Sequence, residues 1–289
     1  MISERYDRSI RFFGKEGQDS LAAAEVAVVG IGGLGTHVVQ QLALLGVGQL
    51  VLIDSEELDH TNFNRYIGAY YDDPVPGTMK VNIGERLVKQ INPQIEVTKI
   101  PRSLVSQEAF DAIIASDYVF GCVDREGLRL ILTELCAAYS KPYFDLASDI
   151  ILETPPQYGG RVCVAWDGHG CLCCCGELDI AEAQSDLMNP EAARDRETIY
   201  GIPRKVLHET GPSVVSINGV VASLAVTEFM LLVTGVRNKP RKLLTYRAHM
   251  GGVSIETQEP APDCYYCKAL WGAGEDADIH RYLRAGIKL

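Results

Sequence analysis

Positive charge is scarce in this sequence. Its 289 residues include 27 lysines and arginines against 38 aspartates and glutamates, which gives a formal net charge of −11 at pH 7. No run of more than two lysines or arginines occurs anywhere along the chain. Because the phosphate backbone of DNA or RNA selects basic surfaces, this deficit argues against a nucleic-acid partner.

The sequence also has few long apolar stretches. The opening MISERYDRS is charged from its fourth residue and lacks the apolar region of a secretory signal. Ser213–Thr234 is long enough to be weighed as a membrane span, but it contains Asn218 and Glu228. We therefore expect a cytoplasmic protein without a membrane partner, in which this segment is a buried or interface helix.

Cysteine is plentiful, and its spacing points to a metal. In a cytosolic chain nine cysteines rarely mean disulfides. Two C-x-x-C pairs, Cys171 with Cys174 and Cys264 with Cys267, offer the four thiolates that tetrahedral zinc prefers. The pairs are separated by about 90 residues, so zinc would join two distant segments as a structural ion. The alternative is a set of buried free thiols.

Residues 26 to 165 alternate short β-branched runs with helical patterns, of which EVAVVG and QLVLID are the first two runs. This alternation predicts a Rossmann-like α/β fold, a mostly parallel sheet with helices on both faces. The polar stretch 176–212 is expected to be a long crossing loop. Two short runs on either side of Gly251 are expected to extend the sheet with antiparallel strands.

A glycine-rich turn follows the first apolar run. Gly30, Gly32, Gly33 and Gly35 would let the backbone turn sharply and let a phosphate approach the helix N-terminus, while Asp54, at the end of the second run, could accept from ribose hydroxyls. The turn predicts a nucleotide site. By itself it fits a nicotinamide dehydrogenase, a flavoprotein or an adenylating enzyme.

Polar and cationic residues downstream of Asp54 narrow that choice. Asn62, Arg65 and Lys80 follow in order, and a dehydrogenase has no need of such a series. An enzyme that handles a triphosphate does, because arginine and lysine neutralise phosphate charge where the reaction moves it. The series favours ATP as the nucleotide.

Taken together, these motifs resemble the ThiF/MoeB/HesA adenylyltransferases, bacterial relatives of ubiquitin-activating enzymes. The resemblance covers nearly the whole chain. Its motifs appear in the family's order: R-Y-D-R at residues 5–8, G-x-G-G-L-G, D-x7-N-x2-R, G-x2-K, C-V-D ending at Asp124, and the two C-x-x-C pairs.

The resemblance implies ATP, Mg²⁺ and Zn²⁺ as cofactors and assigns roles to residues. Asp54 would bind the ribose, Asn62, Arg65 and Lys80 would contact phosphates, and Asp124 would hold magnesium. Arg8 would act as an arginine finger in the partner subunit's site, which implies a homodimer. The protein substrate would be a ubiquitin-like protein with a C-terminal glycine, later passed to a conjugating enzyme or a sulfur donor.

The resemblance also implies a division of the chain into an N-terminal arm (1–25), a single adenylation domain (26–267) and a C-terminal tail (268–289). One departure from the family is that the crossing loop contains no cysteine. The adenylate would then pass to Cys173 or Cys175, or to an external thiol or sulfur donor. Two other functions are weighed against adenylation: a nucleotide-binding scaffold for a ubiquitin-like protein, and an NAD- or flavin-dependent oxidoreductase.

Overall fold

The computed structural model describes residues 2–152, 154–168, 170–188, 212–256, 261–268 and 272–287. Within them the strands are β1 Glu25–Val29, β2 Gln49–Ile53, β3 Glu96–Ile100, β4 Tyr118–Gly121, β5 Tyr143–Ile151, β6 Gln157–Ala165, β7 Leu243–Arg247 and β8 Gly252–Glu256. The α-helices are α1 Ile2–Arg5, α2 Asp7–Ala23, α3 Gly33–Leu45, α4 Lys80–Ile91, α5 Gln107–Ala115, α6 Glu126–Ala138, α7 Ile180–Asp186, α8 Val215–Val233 and α9 Arg281–Arg284.

The eight strands form one sheet in the order β3-β2-β1-β4-β5-β6-β7-β8. The first five are parallel to one another, and β6, β7 and β8 follow as antiparallel neighbours. The predicted mostly parallel sheet with antiparallel C-terminal strands is therefore confirmed. The antiparallel part begins earlier than expected, at β6, because only five residues separate β5 from β6 and a parallel crossover needs a dozen or more.

Each face of the sheet is covered by its own apolar core. On one face α3, α4 and α8 pack over residues such as Val28, Leu52 and Phe144, and on the other α5 and α6 pack over residues such as Val29 and Tyr143. The central strands are buried on both faces, which explains why their sequences are continuous apolar runs rather than alternating ones.

The apolar helix α8 belongs to the first core. In the described part of the chain it is the one helix long and apolar enough to cross a membrane, on length and composition alone. It lies against β5 and β6, with Val221, Ala225 and Phe229 fully buried. The expectation of a buried or interface helix is met by this packing. Of the predicted crossing loop, 189–211 lie outside the described residues, and α7 lies just before them.

Candidate nucleotide and metal sites

The glycine turn joins β1 to α3 at the carboxyl edge of the parallel strands. Gly30 has a positive φ of 88°, and a Cβ there would lie 2.6 Å from the carbonyl oxygen of Cys122. A Cβ on Gly35 would lie 2.0 Å from the Gly30 carbonyl oxygen. These two positions need glycine for the turn to close. Gly32 differs, because no described atom lies within 4 Å of where its Cβ would be. The turn is therefore closely packed at Gly30 and Gly35 and open at Gly32, as a phosphate-binding turn requires.

Asp54 is attached to this turn directly. One carboxylate oxygen accepts a hydrogen bond from the backbone N–H of Ile31 at 2.7 Å, and the other accepts from the N–H of Glu56 at 2.8 Å. Burial raises the pKa of this carboxyl, while the nearby Lys80 charge and the two backbone hydrogen bonds oppose the rise. Each oxygen retains acceptor capacity, so the carboxylate can also take a hydroxyl hydrogen bond.

Lys80 is brought close to Asp54 as the first residue of α4. Its side chain is 9% exposed and forms an ion pair with Glu56, whose side chain is 70% exposed. The backbone N–H of Lys80 also donates to the Glu56 carbonyl at 3.0 Å. A largely buried ammonium whose partner extends into solvent can exchange that carboxylate for a phosphate.

Arg65 also packs against the glycine turn. A Cβ on Gly33 would lie 3.0 Å from Arg65 Cγ, so the arginine side chain passes directly over the start of α3. Its guanidinium donates to the carbonyl of Thr61 and to the side chain of Asn64. Asn62, by contrast, is engaged locally: its side-chain oxygen accepts from the N–H of Asp59 at 3.1 Å and closes a short 3-10 turn that leads to Arg65.

Asp124 lies in the loop between β4 and α6, at the same edge of the sheet. Its side chain is exposed, and the preceding backbone at Cys122 contacts Gly30 and donates to Val29 at 2.8 Å. Arg125, also exposed, is the N-cap residue of α6. The structure thus places an available carboxylate at the same edge as the glycine turn.

Arg8 does not join this group within a single chain. It lies near the start of α2, two residues after Tyr6, whose ring packs on Gly46 at the far end of α3 from the glycine turn. A helix of 13 residues spans about 20 Å. Arg8 is exposed and forms no ion pair with the described residues. Any contribution to a nucleotide site would have to be made to that of another copy.

The two C-x-x-C pairs meet despite their separation in sequence. The sulfur atoms of Cys171, Cys174, Cys264 and Cys267 lie within 4.8 Å of one another. Contacting pairs are 3.7 Å apart for Cys171 and Cys264, 3.5 Å for Cys174 and Cys267, and 3.9 Å for Cys171 and Cys174. Tetrahedral zinc with Zn–S bonds of about 2.3 Å needs sulfur separations of about 3.8 Å. The donor set and the spacing fit a structural zinc ion.

The remaining cysteines divide into core residues and neighbours of the cluster. Burial raises the pKa of the Cys122 and Cys136 thiols, which makes them poor nucleophiles. Cys173 and Cys175 are half-buried and pack against the core under α5 and α6. The Cys175 thiol lies next to the buried Cys163 thiol. Transfer of an acyl group to Cys173 or Cys175 therefore stays a prediction.

One site neighbour was missed from the sequence. Asn218 of α8 is 1% exposed, accepts from Ser148 at 2.8 Å and donates to Ser213 at 3.1 Å. A Cβ on Gly33 would lie 3.0 Å from its amide nitrogen. Asn218 thereby connects the start of α8 and the middle of β5 to the glycine turn. The available signal was a lone asparagine within an apolar helix, which we interpreted only as an argument against a membrane span.

Comparison with known proteins places these features in a family. The ThiF family pattern matches residues 6–266. The sulfur carrier protein ThiS adenylyltransferase of Escherichia coli is 30% identical over 175 residues, 59% of this chain and 66% of that protein. The SAMP-activating enzyme E1 of Haloferax volcanii is 33% identical over 135 residues, 46% of this chain and 49% of that protein.

A third curated relative, the vegetative HesA protein of Trichormus variabilis, is 37% identical over 149 residues, 50% of this chain and 55% of that protein. The matched regions thus span about half to two thirds of these relatives' lengths. Among solved structures, Escherichia coli MccB with MccA-N7isoASN superposes with a TM-score of 0.69 at 21% identity, over 91% of this chain and 74% of that one. PaaA superposes with a TM-score of 0.66 at 19% identity, over 90% and 74%. At these identities the structures establish the shared fold.

Proposed function

The chain belongs to the ThiF family, and from that premise we propose that it is an adenylyltransferase that uses ATP to activate the C-terminal glycine of a ubiquitin-like protein. The observation that carries the proposal is the convergence of Asp54, Arg65 and Lys80 on one glycine turn. An oxidoreductase of this fold binds its cofactor's pyrophosphate mainly through the helix N-terminus at the turn, so two added cations favour a triphosphate. Adenylation is also supported by two of the similar proteins, which are named the sulfur carrier protein ThiS adenylyltransferase and the SAMP-activating enzyme E1.

The proposed reaction needs positioning and charge stabilisation rather than a protein nucleophile. A carboxylate oxygen of the carrier's terminal glycine attacks the α-phosphorus of ATP, the bond from that phosphorus to the bridging oxygen of the β-phosphate breaks, and pyrophosphate leaves. The product is an acyl-adenylate. Arg65 and Lys80 would offset the charge that develops on the phosphates, and Asp54 would hold the ribose.

We assign Asp124 as the magnesium ligand. Its exposed carboxylate is a hard oxygen donor, which suits Mg²⁺, and Mg²⁺ is usually held by one or two carboxylates together with substrate phosphates. When bound, the ion would neutralise the departing pyrophosphate. The four-cysteine cluster would hold zinc in a structural role. We place the reaction in the cytoplasm, where ATP and reduced thiols coexist.

We further propose that the enzyme is a homodimer in which Arg8 completes the partner subunit's site. Two observations support a second copy. Arg8 lies at the wrong end of α3 to serve its own turn. A groove of about 400 Å³ runs between α3 and α8, and at its wall His37 Nε2 is buried without a hydrogen-bond partner among the described residues. Burial lowers the pKa of His37, so the ring would meet a partner in its neutral form.

The test of adenylation is ATP–pyrophosphate exchange by the purified protein, with and without a ubiquitin-like protein ending in glycine, alongside the Asp124→Ala variant. Exchange that requires the carrier and disappears in the variant supports the proposal. A folded, zinc-loaded dimer that shows no exchange with any glycine-tailed carrier would favour the nucleotide-binding scaffold. A nicotinamide-dependent absorbance change would instead favour the oxidoreductase.

The test of the dimer is complementation between two inactive variants. If Arg8 acts on the partner subunit, mixing Arg8→Ala and Asp124→Ala chains creates heterodimers with one intact site each. Random exchange makes half of the dimers heterodimers, so about a quarter of wild-type exchange activity should return. If Arg8 acts within its own chain, every site lacks one residue and no activity returns.

A further inference from the structure

A buried charge network connects the Asp124 loop to the segment that follows the first C-x-x-C pair. At its centre is Asp145 of β5, which is fully buried. Its carboxylate accepts from Arg129 at 2.6 Å, from the hydroxyl of Tyr143 at 2.7 Å, and from Arg161. A buried carboxylate is costly unless it is fully paired, so the fold must hold all three donors in place.

Arg129 extends the network to the backbone beside Asp124. It lies in the first turn of α6 and is 5% exposed. One terminal nitrogen of its guanidinium binds Asp145, and the other donates to the carbonyl of Val123 at 2.7 Å. Val123 is the residue immediately before Asp124. The planar guanidinium therefore holds the loop at a set distance from a buried strand, which a point-charge lysine cannot reproduce.

Arg161 extends the network in the other direction. It lies on β6 next to Asp145, pairs with the Glu177 carboxylate at 2.7 Å and donates to the Glu177 carbonyl at 3.0 Å. The N–H of Glu177 in turn donates to Leu172, inside the first C-x-x-C pair, at 2.9 Å. The segment of the first C-x-x-C pair is thereby joined to Asp145 through the ion pairs of Arg161 and one backbone hydrogen bond.

A second set of contacts fixes the other end of the Asp124 loop. The N–H of Gly127, near the start of α6, donates to Asp186 of α7 at 3.0 Å, and the Glu126 carboxylate accepts from the N–H of Asp179 at 3.0 Å. The α6 N-cap residue makes no side-chain cap of its own, so Asp186 supplies that cap from a different element. The loop is held on both sides of Asp124.

We propose that Arg129 and Asp145 are positioning residues that hold Asp124 for magnesium, within a network that Arg161 and Glu177 extend to the segment of the first C-x-x-C pair. The magnesium part rests on the proposed function. Asp124 itself is exposed and forms no ion pair with described residues, so its position is set by the backbone on either side. Groups of this kind, which orient a ligand without touching the metal, are worth 10- to 100-fold in metal affinity or activity.

The test compares Arg129→Lys with Arg86→Lys. Arg86 is the control, because its guanidinium likewise joins an aspartate to a backbone carbonyl: both of its terminal nitrogens bind Asp73 at 2.6 Å, and one donates to Gly68 at 2.6 Å. The first readout is amide hydrogen exchange in peptides covering 122–127. We expect exchange about 10-fold faster in Arg129→Lys and unchanged in Arg86→Lys.

The second readout is the Mg²⁺ dependence of ATP–pyrophosphate exchange. Arg129→Lys should need about 10- to 100-fold more Mg²⁺ for half-maximal rate, with an unchanged KM for the carrier. Asp145→Asn should raise the Mg²⁺ requirement and speed hydrogen exchange in the same way, and it replaces Arg129→Lys in the test if that variant does not fold. Unchanged hydrogen exchange at 122–127 in both variants would overturn the inference. The two proposals can fail separately, because hydrogen exchange requires no turnover. If the wild-type protein shows no adenylation activity, the proposed function is refuted, and hydrogen exchange at 122–127 still tests whether Arg129 and Asp145 position the Asp124 loop.

Discussion

The glycine turn predicts opposite outcomes for two substitutions three residues apart. A methyl group on Gly35 would lie 2.0 Å from the Gly30 carbonyl oxygen, so the backbone of the turn must move by more than 1 Å. Overpacking of this severity costs about 3 kcal/mol, and the higher helix propensity of alanine offsets about 1 kcal/mol. Gly35→Ala should therefore lower the free energy of unfolding by about 2 kcal/mol and Tm by roughly 4–8 °C.

Gly32→Ala should leave stability within about 0.5 kcal/mol of wild type, since Gly32 has a negative φ of −91° and open space where its Cβ would be. That same space is where a phosphate would approach. We expect ATP affinity to fall at least about 10-fold, which corresponds to about 1.4 kcal/mol.

Thermal unfolding and ATP titration by calorimetry on both variants check this pair. Gly48→Ala is the control for a packing clash away from the turn: its Cβ would lie 2.0 Å from the carbonyl oxygen of Ala22, at the amino end of β2. It should lower Tm and leave ATP affinity unchanged. If Gly32→Ala binds ATP as tightly as wild type, the phosphates do not lie against this turn and the placement of the nucleotide is wrong.

Three further predictions concern the metal and the charged residues. The purified protein should contain about one zinc per chain by mass spectrometry, and the Cys264→Ser variant should lose it. With free zinc at about 1,000 times its Kd, the ion adds about 4 kcal/mol to the free energy of unfolding. Equal thermal stability with and without zinc would therefore contradict a structural role. Lys80→Met should reduce exchange activity about 100- to 1,000-fold while keeping Tm, and a loss below 10-fold would remove Lys80 from the phosphate site. Burial raises the pKa of Asp54, so its carboxylate becomes protonated as pH falls through a value above the ordinary 3.8, and ATP affinity should weaken there. ATP itself titrates in acid, so the Asp54→Asn variant is the reference: it should bind ATP weakly at neutral pH and lose less affinity than wild type on acidification. An equal loss of affinity in both proteins would refute the role of Asp54.

The amino-acid sequence was sufficient to predict the parallel sheet and the turn. Apolar runs of β-branched residues separated by helical patterns admit few arrangements, because parallel strands need crossovers and crossovers have one hand. The alternating pattern of residues 26 to 165 includes both β5 and β6, although the five residues between these strands are too few for a crossover. The residue pattern within a strand does not show the direction of that strand. The direction of β6 follows from the link before it, which is too short to hold a crossover helix and so makes β5 and β6 a hairpin.

The residues that act through distant contacts were beyond the sequence. Asn218, Asp145 and Arg129 occur in three separate elements, and nothing in their local patterns pairs them. Arg8 carried the right motif, but only the fold shows that it lies at the far end of α3 from its own glycine turn.

The sequence by itself determined the chemistry available to this protein: a turn that only glycine can close, cations for phosphates, and four thiolates in two pairs. Those properties are local, since they depend on residue type and on spacing of a few positions. The tertiary structure decided which distant groups meet, bringing two cysteine pairs about 90 residues apart to contacts of 3.5 and 3.7 Å and tying the Asp124 loop to a buried carboxylate. The physical reason is that such meetings are set by packing of the two cores against one sheet, and packing depends on the whole chain.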